Sequence, residues 1–300
     1  MKLIEDLERE IESLKTAVSL LQEQVEALRL DHMAGKSPVE ALLWQRGASV
    51  LAHGDRTRVI LPAGATPRQT VRFYDLMRRY SFRLFLRELL QSPSGEGFEA
   101  LNRYCSEKVV RSYLAVLSEL GVVRLLNGGR YELIPKHITS LGPTLEWYVS
   151  EVLQRELLAP ALFNVRLRNT RHGGDYDVIT FLAGRLVYVE VKSSPPRGVE
   201  LPAISAFLNR LDDLQPQLAI FLVDTELRMR DKMAPLFTEA LHARQGSGEA
   251  PEVTPLVAEV FHISHRIYIA NSRKGIYTNL RLCIRDFFRW EERSGQRDTS

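Results

Sequence analysis

The chain has 300 residues, 45% apolar and 26% charged, with a formal net charge of +3. These are ordinary values for a soluble globular protein, and the length suits two or three domains with a sizeable core. With only two cysteines, Cys105 and Cys283, a disulfide framework and a four-cysteine zinc site are excluded. No apolar run approaches the ~18 residues of a membrane span. The N-terminus lacks the basic start and apolar middle of a signal peptide, so a cytoplasmic protein is expected.

The chain opens on Ile4, Leu7, Ile11, Leu14, Val18, Leu21, Val25 and Leu28. Their spacing alternates three and four, with a β-branched residue at every a position and Leu at every d position. That choice favours a parallel two-stranded coiled coil. Residues 1–32 are therefore expected to form a homodimer. Residues 33–65 read as a linker holding Gly35, Ser37 and Pro38, then a β-hairpin of ASVLA and RTRVILPAG around His53-Gly54-Asp55.

Residues 66–140 read differently. Residues 66–91 are predicted helical, PSGEG breaks the pattern, FEALNRYC gives a short helix and SEKVVRSYLAVLSELG a longer one. Ser106 is its expected N-cap, and Gly121 stops it. The run VVRLLNGGRYELI then predicts a hairpin whose NGG turn supplies positive-φ residues. Arg68, Arg72, Arg78, Arg79, Arg83 and Arg87 face Asp75 alone over 68–87. That is either an electrostatic footprint for nucleic acid or a solvated helix face. Helices followed by a hairpin resemble a winged helix-turn-helix domain. The resemblance implies DNA contacts from Lys108, Arg111 and Ser112 on the reading helix and from Arg130 at the wing tip; such domains also serve protein contacts alone.

From residue 141 to 290, helix and strand alternate: one helix, three strands, a helix and a returning strand, an α/β core. Residues 291–300 read as a frayed tail. Within this core lies GGDYDVITFLAGRLVYVEVKSSP. Alternate residues of a strand share a face, so Glu190 and Lys192 point one way while Val189 and Val191 fill the other. Burying either charge alone is costly. A turn at Ala183-Gly184 would bring Asp177 across from Glu190. Two hard carboxylates suit Mg²⁺, with Mn²⁺ as a substitute, and a nearby lysine can orient a metal-bound water. The bland alternative is a Glu–Lys pair closing a sheet edge.

Asp177 followed by Glu190-x-Lys192 resembles the PD-(D/E)XK nuclease superfamily, with its restriction-endonuclease-like αβββαβ core. Tyr176 stands where that family usually has proline. The resemblance implies a metal-dependent endonuclease acting on DNA, of the kind found in bacterial restriction and antiviral defence. Asp177, Glu190 and Lys192 would be its catalytic residues, and Glu146 in the first helix a further carboxylate. Asp177, Glu190 and Glu146 would ligate the metal. Asp175 is an auxiliary ligand or a turn residue. Two other functions fit the same sequence: a dimeric DNA-binding regulator with an idle nuclease fold, and an RNA or junction nuclease in repair. His172 is a phosphate contact or a strand cap, and His262 and His265 are expected to be structural.

Overall fold

The computed structural model describes residues 10–21, 24, 36–96, 101–245 and 250–297, in two compact units, 1–47 and 48–300. In the first, residues 10–21 form helix α1, and Ile11, Leu14, Val18 and Leu21 each expose half of their surface or more. The remaining heptad positions, Ile4, Leu7, Val25 and Leu28, lie outside the described residues. Helix α2 (Pro38–Gln45) begins where a linker was expected. The Ser37 hydroxyl accepts from the Glu40 N–H at 3.2 Å, and the Glu40 carboxylate accepts from the Ser37 N–H at 2.8 Å. This capping box makes Pro38 a helix starter rather than a breaker.

The second unit also corrects the hairpin expected before residue 65. Strand β1 (Val50–Ala52) pairs antiparallel with β5 (Ala161–Leu167), not with the following run. Asp55 accepts from the Thr57 N–H and winds residues 56–58 into a tight turn. Val59, Ile60 and Leu61 are then buried outside any strand, with the Ile60 N–H donating to Thr144 Oγ1. Local side-chain bonds thus outcompete the ladder.

The helix expected over 66–91 is two helices, α3 (Pro67–Met77) and α4 (Tyr80–Gln91), because Arg79 between them is extended. The short helix expected over 98–105 falls partly outside the described residues, and 102–105 are turns and bends. Helix α5 (Glu107–Glu119) ends at Gly121, whose φ of 72° only glycine adopts cheaply. Ser106 occupies its N-cap position without a side-chain capping bond. Strands β2 (Ser94–Glu96), β3 (Val123–Leu125) and β4 (Arg130–Leu133) make a three-stranded antiparallel sheet ordered β2-β4-β3.

Next come α6 (Gly142–Glu156), β5, β6 (Asp175–Leu182), β7 (Arg185–Lys192), α7 (Leu201–Leu214) and β8 (Leu218–Val223). They are followed by α8 (Met233–Gln245), β9 (Val253–Val257), β10 (Val260–Ile263), β11 (Ile267–Asn271) and α9 (Ile276–Arg297). The eight-stranded sheet runs β1-β5-β6-β7-β8-β11-β10-β9, with β7, β8 and β11 parallel and the outer pairs antiparallel. One face packs Val178, Val189 and Ile220 into a core that continues through Trp147 of α6 to Phe73 and Phe82, so α3–α5 share the core of the sheet. On the other face an aromatic chain links Tyr176, Tyr188, Phe207 of α7, Phe221 and Phe237 of α8. The expected tail is mostly helix: α9 reaches Arg297, held at Glu291 by the Arg185 guanidinium (2.8 Å).

Candidate functional site

Ala183 and Gly184 both take positive φ, 46° and 76°, giving the tight turn that matches strand twist. This fixes β6 against β7 with Val178 opposite Val189, and Asp177 is therefore aligned with Glu190. The ladder stops at that valine pair. Beyond it the Asp177 carboxylate takes the place of a backbone acceptor, receiving the Val191 N–H at 2.7 Å. On the other side Asn164 of β5 falls between the pairs Phe163–Val178 and Val165–Tyr176. Its φ of 50° is unusual for a strand residue, and its amide lies 3.5 Å from the Glu146 carboxylate of α6. Asn164, Asp177 and Glu190 thus form a row across three strands, with Glu146 facing it from the helix.

Glu190 is 1% exposed and fully engaged. Lys192 Nζ donates to Oε1 at 2.6 Å, Arg210 Nη1 of α7 donates to both oxygens at 3.1 and 3.0 Å, and the Tyr188 hydroxyl donates to Oε2. Burial, then the charges of Glu190 and Glu146, hold the Asp177 carboxyl well above the usual range. Burial pushes the Glu146 carboxyl up to about 7, against the Asn164 hydrogen bond and the Arg58 charge; Glu190 and Asp175 add to the rise. Buried carboxylates that raise one another in this way have the donor chemistry of a hard divalent cation, which would offset their repulsion. As arranged, no group of three or more His, Cys, Asp or Glu side chains among the described residues converges into a metal site.

The other singled-out residues separate into several places. Asp175 opens β6 and pairs with Arg166 at 2.7 Å. Glu151, the other acid of α6 besides Glu146 and Glu156, pairs with Arg155 one turn on at 2.6 Å. The His172 ring lies 3.3 Å from Asp213, which also accepts the His172 N–H. His262 stacks on His265, and His265 bonds Asp286 at 2.6 Å. Lys108 and Ser112 line one groove with Arg79 and Ser81. Arg111 pairs with Glu107 on its own helix at 2.5 Å, and Arg130 stands at the hairpin tip, bonded to the Asn127 carbonyl.

Of the arginine run over 68–87, Arg83 and Arg87 are spent inside the molecule and Arg72 and Arg78 in surface pairs. Arg83 is 1% exposed and Asp224, directly after β8, is 0% exposed. Arg83 Nε and Nη2 reach the Asp224 carboxylate at 2.8–3.0 Å, and Arg87 Nη2 reaches it at 2.6 Å. Arg72 pairs with Glu119 and Arg78 with Glu156. A footprint counted from sequence therefore overstates the charge left for a partner.

Sequence reasoning missed Arg210 and Asp224. The signal for Arg210 was its place on the apolar stripe Ala203-Phe207-Arg210-Leu214, where α7 meets the sheet. The signal for Asp224 was an acid ending the wholly buried strand Leu218–Val223.

No family model and no curated protein matches the sequence. Among solved structures, protein VC1899 from Vibrio cholerae is similar over 64% of this chain and 53% of its own, at 18% identity and a TM-score of 0.41. Can2 from Sulfobacillus thermosulfidooxidans, in complex with cyclic tetra-adenylate, is similar over 61% of this chain and 51% of its own, at 14% identity and a TM-score of 0.38. This chain thus spans about half the length of each. Neither likeness is close enough to carry a residue role or an activity across.

Proposed function

We propose that this protein hydrolyses phosphodiester bonds in DNA at the end of β6 and β7. The observation that carries the reading is the meeting of Asp177, Glu190 and Lys192 where those strands part. Asp177 and Glu190 would hold Mg²⁺ or Mn²⁺, with Glu146 as a further carboxylate. When bound, the ion supplies an acidified water and polarises a phosphoryl oxygen. Lys192, on the same strand face and a quarter exposed at its side chain, would orient the attacking water and face the phosphate. Glu146, held partly protonated near neutral pH, gives or takes a proton in the same space. In this reading α5 and the β3–β4 hairpin form a winged helix-turn-helix that binds DNA through Lys108, Ser112, Arg111 and Arg130. The heptads would pair two chains and place two sites on one duplex, the easiest arrangement for cutting both strands, as in restriction or defence against foreign DNA.

The test incubates purified protein with supercoiled, linear and single-stranded DNA, a branched junction and RNA, in Mg²⁺, Mn²⁺ or EDTA. Metal-dependent cleavage of DNA, lost in Asp177→Ala, is expected; cleavage restricted to RNA or the junction would reassign the substrate. A second reading, a DNA-binding regulator with an idle site, is favoured by one observation: the lone pairs of Glu190 are filled by Lys192, Arg210 and Tyr188. DNA binding without cleavage of any of these substrates would select it.

A further inference from the structure

A carboxylate has about four lone-pair positions. In Glu190 they meet the Tyr188 hydroxyl, the Lys192 ammonium and the doubly placed Arg210 Nη1. A divalent ion on Glu190 must therefore displace a donor. Tyr188 is 0% exposed within the aromatic layer and has nowhere to go. Lys192 holds the shorter bond, at 2.6 Å, from the same strand. Arg210 is bound through longer contacts, 3.0 and 3.1 Å, from a different element, and its side chain keeps 20% of its surface in solvent. Its guanidinium also repels a second cation at close range, where the low local dielectric magnifies the charge.

The seat of Arg210 is built rather than incidental. A Cβ at Gly174 would stand 3.4 Å from both Nε and Nη2, so the guanidinium rests against a glycine whose φ is 97°. One turn further along α7, Asp213 accepts the backbone N–H groups of Arg171 and His172. Helix α7 therefore fastens the loop that leads into Asp175 and Asp177, and Arg210 fills the space between that loop and Glu190.

We infer that Arg210 is an internal competitor for the metal: it holds Glu190 in a cation-filled resting state, and metal loading requires the guanidinium to leave. This rests on the metal-site reading above and adds regulation to it. Anything that draws the guanidinium away, such as a nucleic-acid phosphate, which arginine binds as readily as a carboxylate, favours loading. Arg210 is thus a positioning residue that couples substrate to metal.

The experiment measures Mn²⁺ binding, without nucleic acid, by titration calorimetry and by electron paramagnetic resonance of free Mn²⁺. It uses full-length wild type, Arg210→Met, Arg210→Lys, Asp177→Asn and the double variant Arg210→Met/Asp177→Asn, each checked for folding by circular dichroism. Arg210→Met is expected to bind Mn²⁺ at least about tenfold more tightly than wild type, because the removed charge is close and half-desolvated. Arg210→Lys falls between them, and the double variant loses the gain. If Arg210→Met, or Arg210→Lys should the first not fold, binds no more tightly than wild type while Asp177→Asn still weakens binding, the competitor role is overturned and the metal site stands. If no variant binds Mn²⁺ in an Asp177-dependent way, the inference falls together with its premise.

Discussion

Two arginine–carboxylate clusters stand at the same end of the sheet, where the Asp224 N–H donates to the Lys192 carbonyl at 2.8 Å. By strand alternation Asp224 turns to the α6 face and Glu190 to the α7 face. In the first cluster one carboxylate meets Arg83 and Arg87, and the Met77 carbonyl takes a further Arg83 donor at 2.6 Å. Burial alone would raise the Asp224 carboxyl, but Arg83 and Arg87 together outweigh it and hold that carboxyl below its usual range. In the second, Lys192 and Arg210 stand beside Glu190 and Asp177, Arg58 acts on Glu146, and burial with like charge raises Asp177 and Glu146. The same residue types make a lock where two arginines hold one carboxylate and a candidate metal edge where buried carboxylates crowd one another.

The largest effect should come from breaking the arginine-rich cluster. Asp224→Ala leaves Arg83 buried without its counter-ion, and a loss of about 3–5 kcal/mol in urea unfolding is expected. Arg83→Met/Asp224→Leu should recover part of it, because the apolar pair needs no desolvation offset while Arg87 still loses its carboxylate partner. A full loss in the double variant would show that relief of the buried Arg83 charge does not decide the cost.

The acid-rich cluster should behave in the opposite way. Asp177→Asn removes a carboxylate raised by its neighbours, so folding stability should hold or rise. Cleavage should fall more than about 100-fold, since even outer partners of metal ligands cost 10–100-fold. A variant both destabilised and active would reverse the comparison.

Glu146 gives a pH test. Its folded-state pKa, about 7, lies above the ordinary carboxylate value of 4.5, so the folded state holds a proton the unfolded chain has lost. The penalty is absent below the unfolded range and grows as pH rises toward 7; stability should fall across that window by at most about 3 kcal/mol. Glu146→Gln should flatten the slope, as read from urea midpoints at pH 5 and pH 7.5.

The smallest expected effect lies on α5, away from both clusters. Lys108→Ala/Arg111→Ala should weaken DNA binding modestly and lower its salt slope by about one unit per lost phosphate contact. The Glu107 partner of Arg111 should dilute the second contribution. Affinity and slope both unchanged in a fluorescence titration would remove α5 from the interface.

The sequence by itself determined what depends on short range. Period-two alternation placed Glu190 and Lys192 on one face, and the Ala183-Gly184 turn set Asp177 against Glu190, because strand geometry and turn chemistry act within a few residues. Glu146 shares a 3.6-residue stripe with Val149 and Leu153, a local pattern that places it inward, and it is 9% exposed. Short-range signals misled where a local side-chain bond competed: Ser37 with Glu40 turned a linker into a helix, and Asp55 with Thr57 replaced a hairpin. Only the tertiary structure decided the long-range pairings. Arg83 reaches Asp224 across 141 positions and Arg210 reaches Glu190 across 20. A charge on a predicted helix carries no mark of its counter-ion; packing of α4 and α7 against the sheet removes the water around these groups, and desolvation decides which arginine is a structural lock and which stands beside the candidate site.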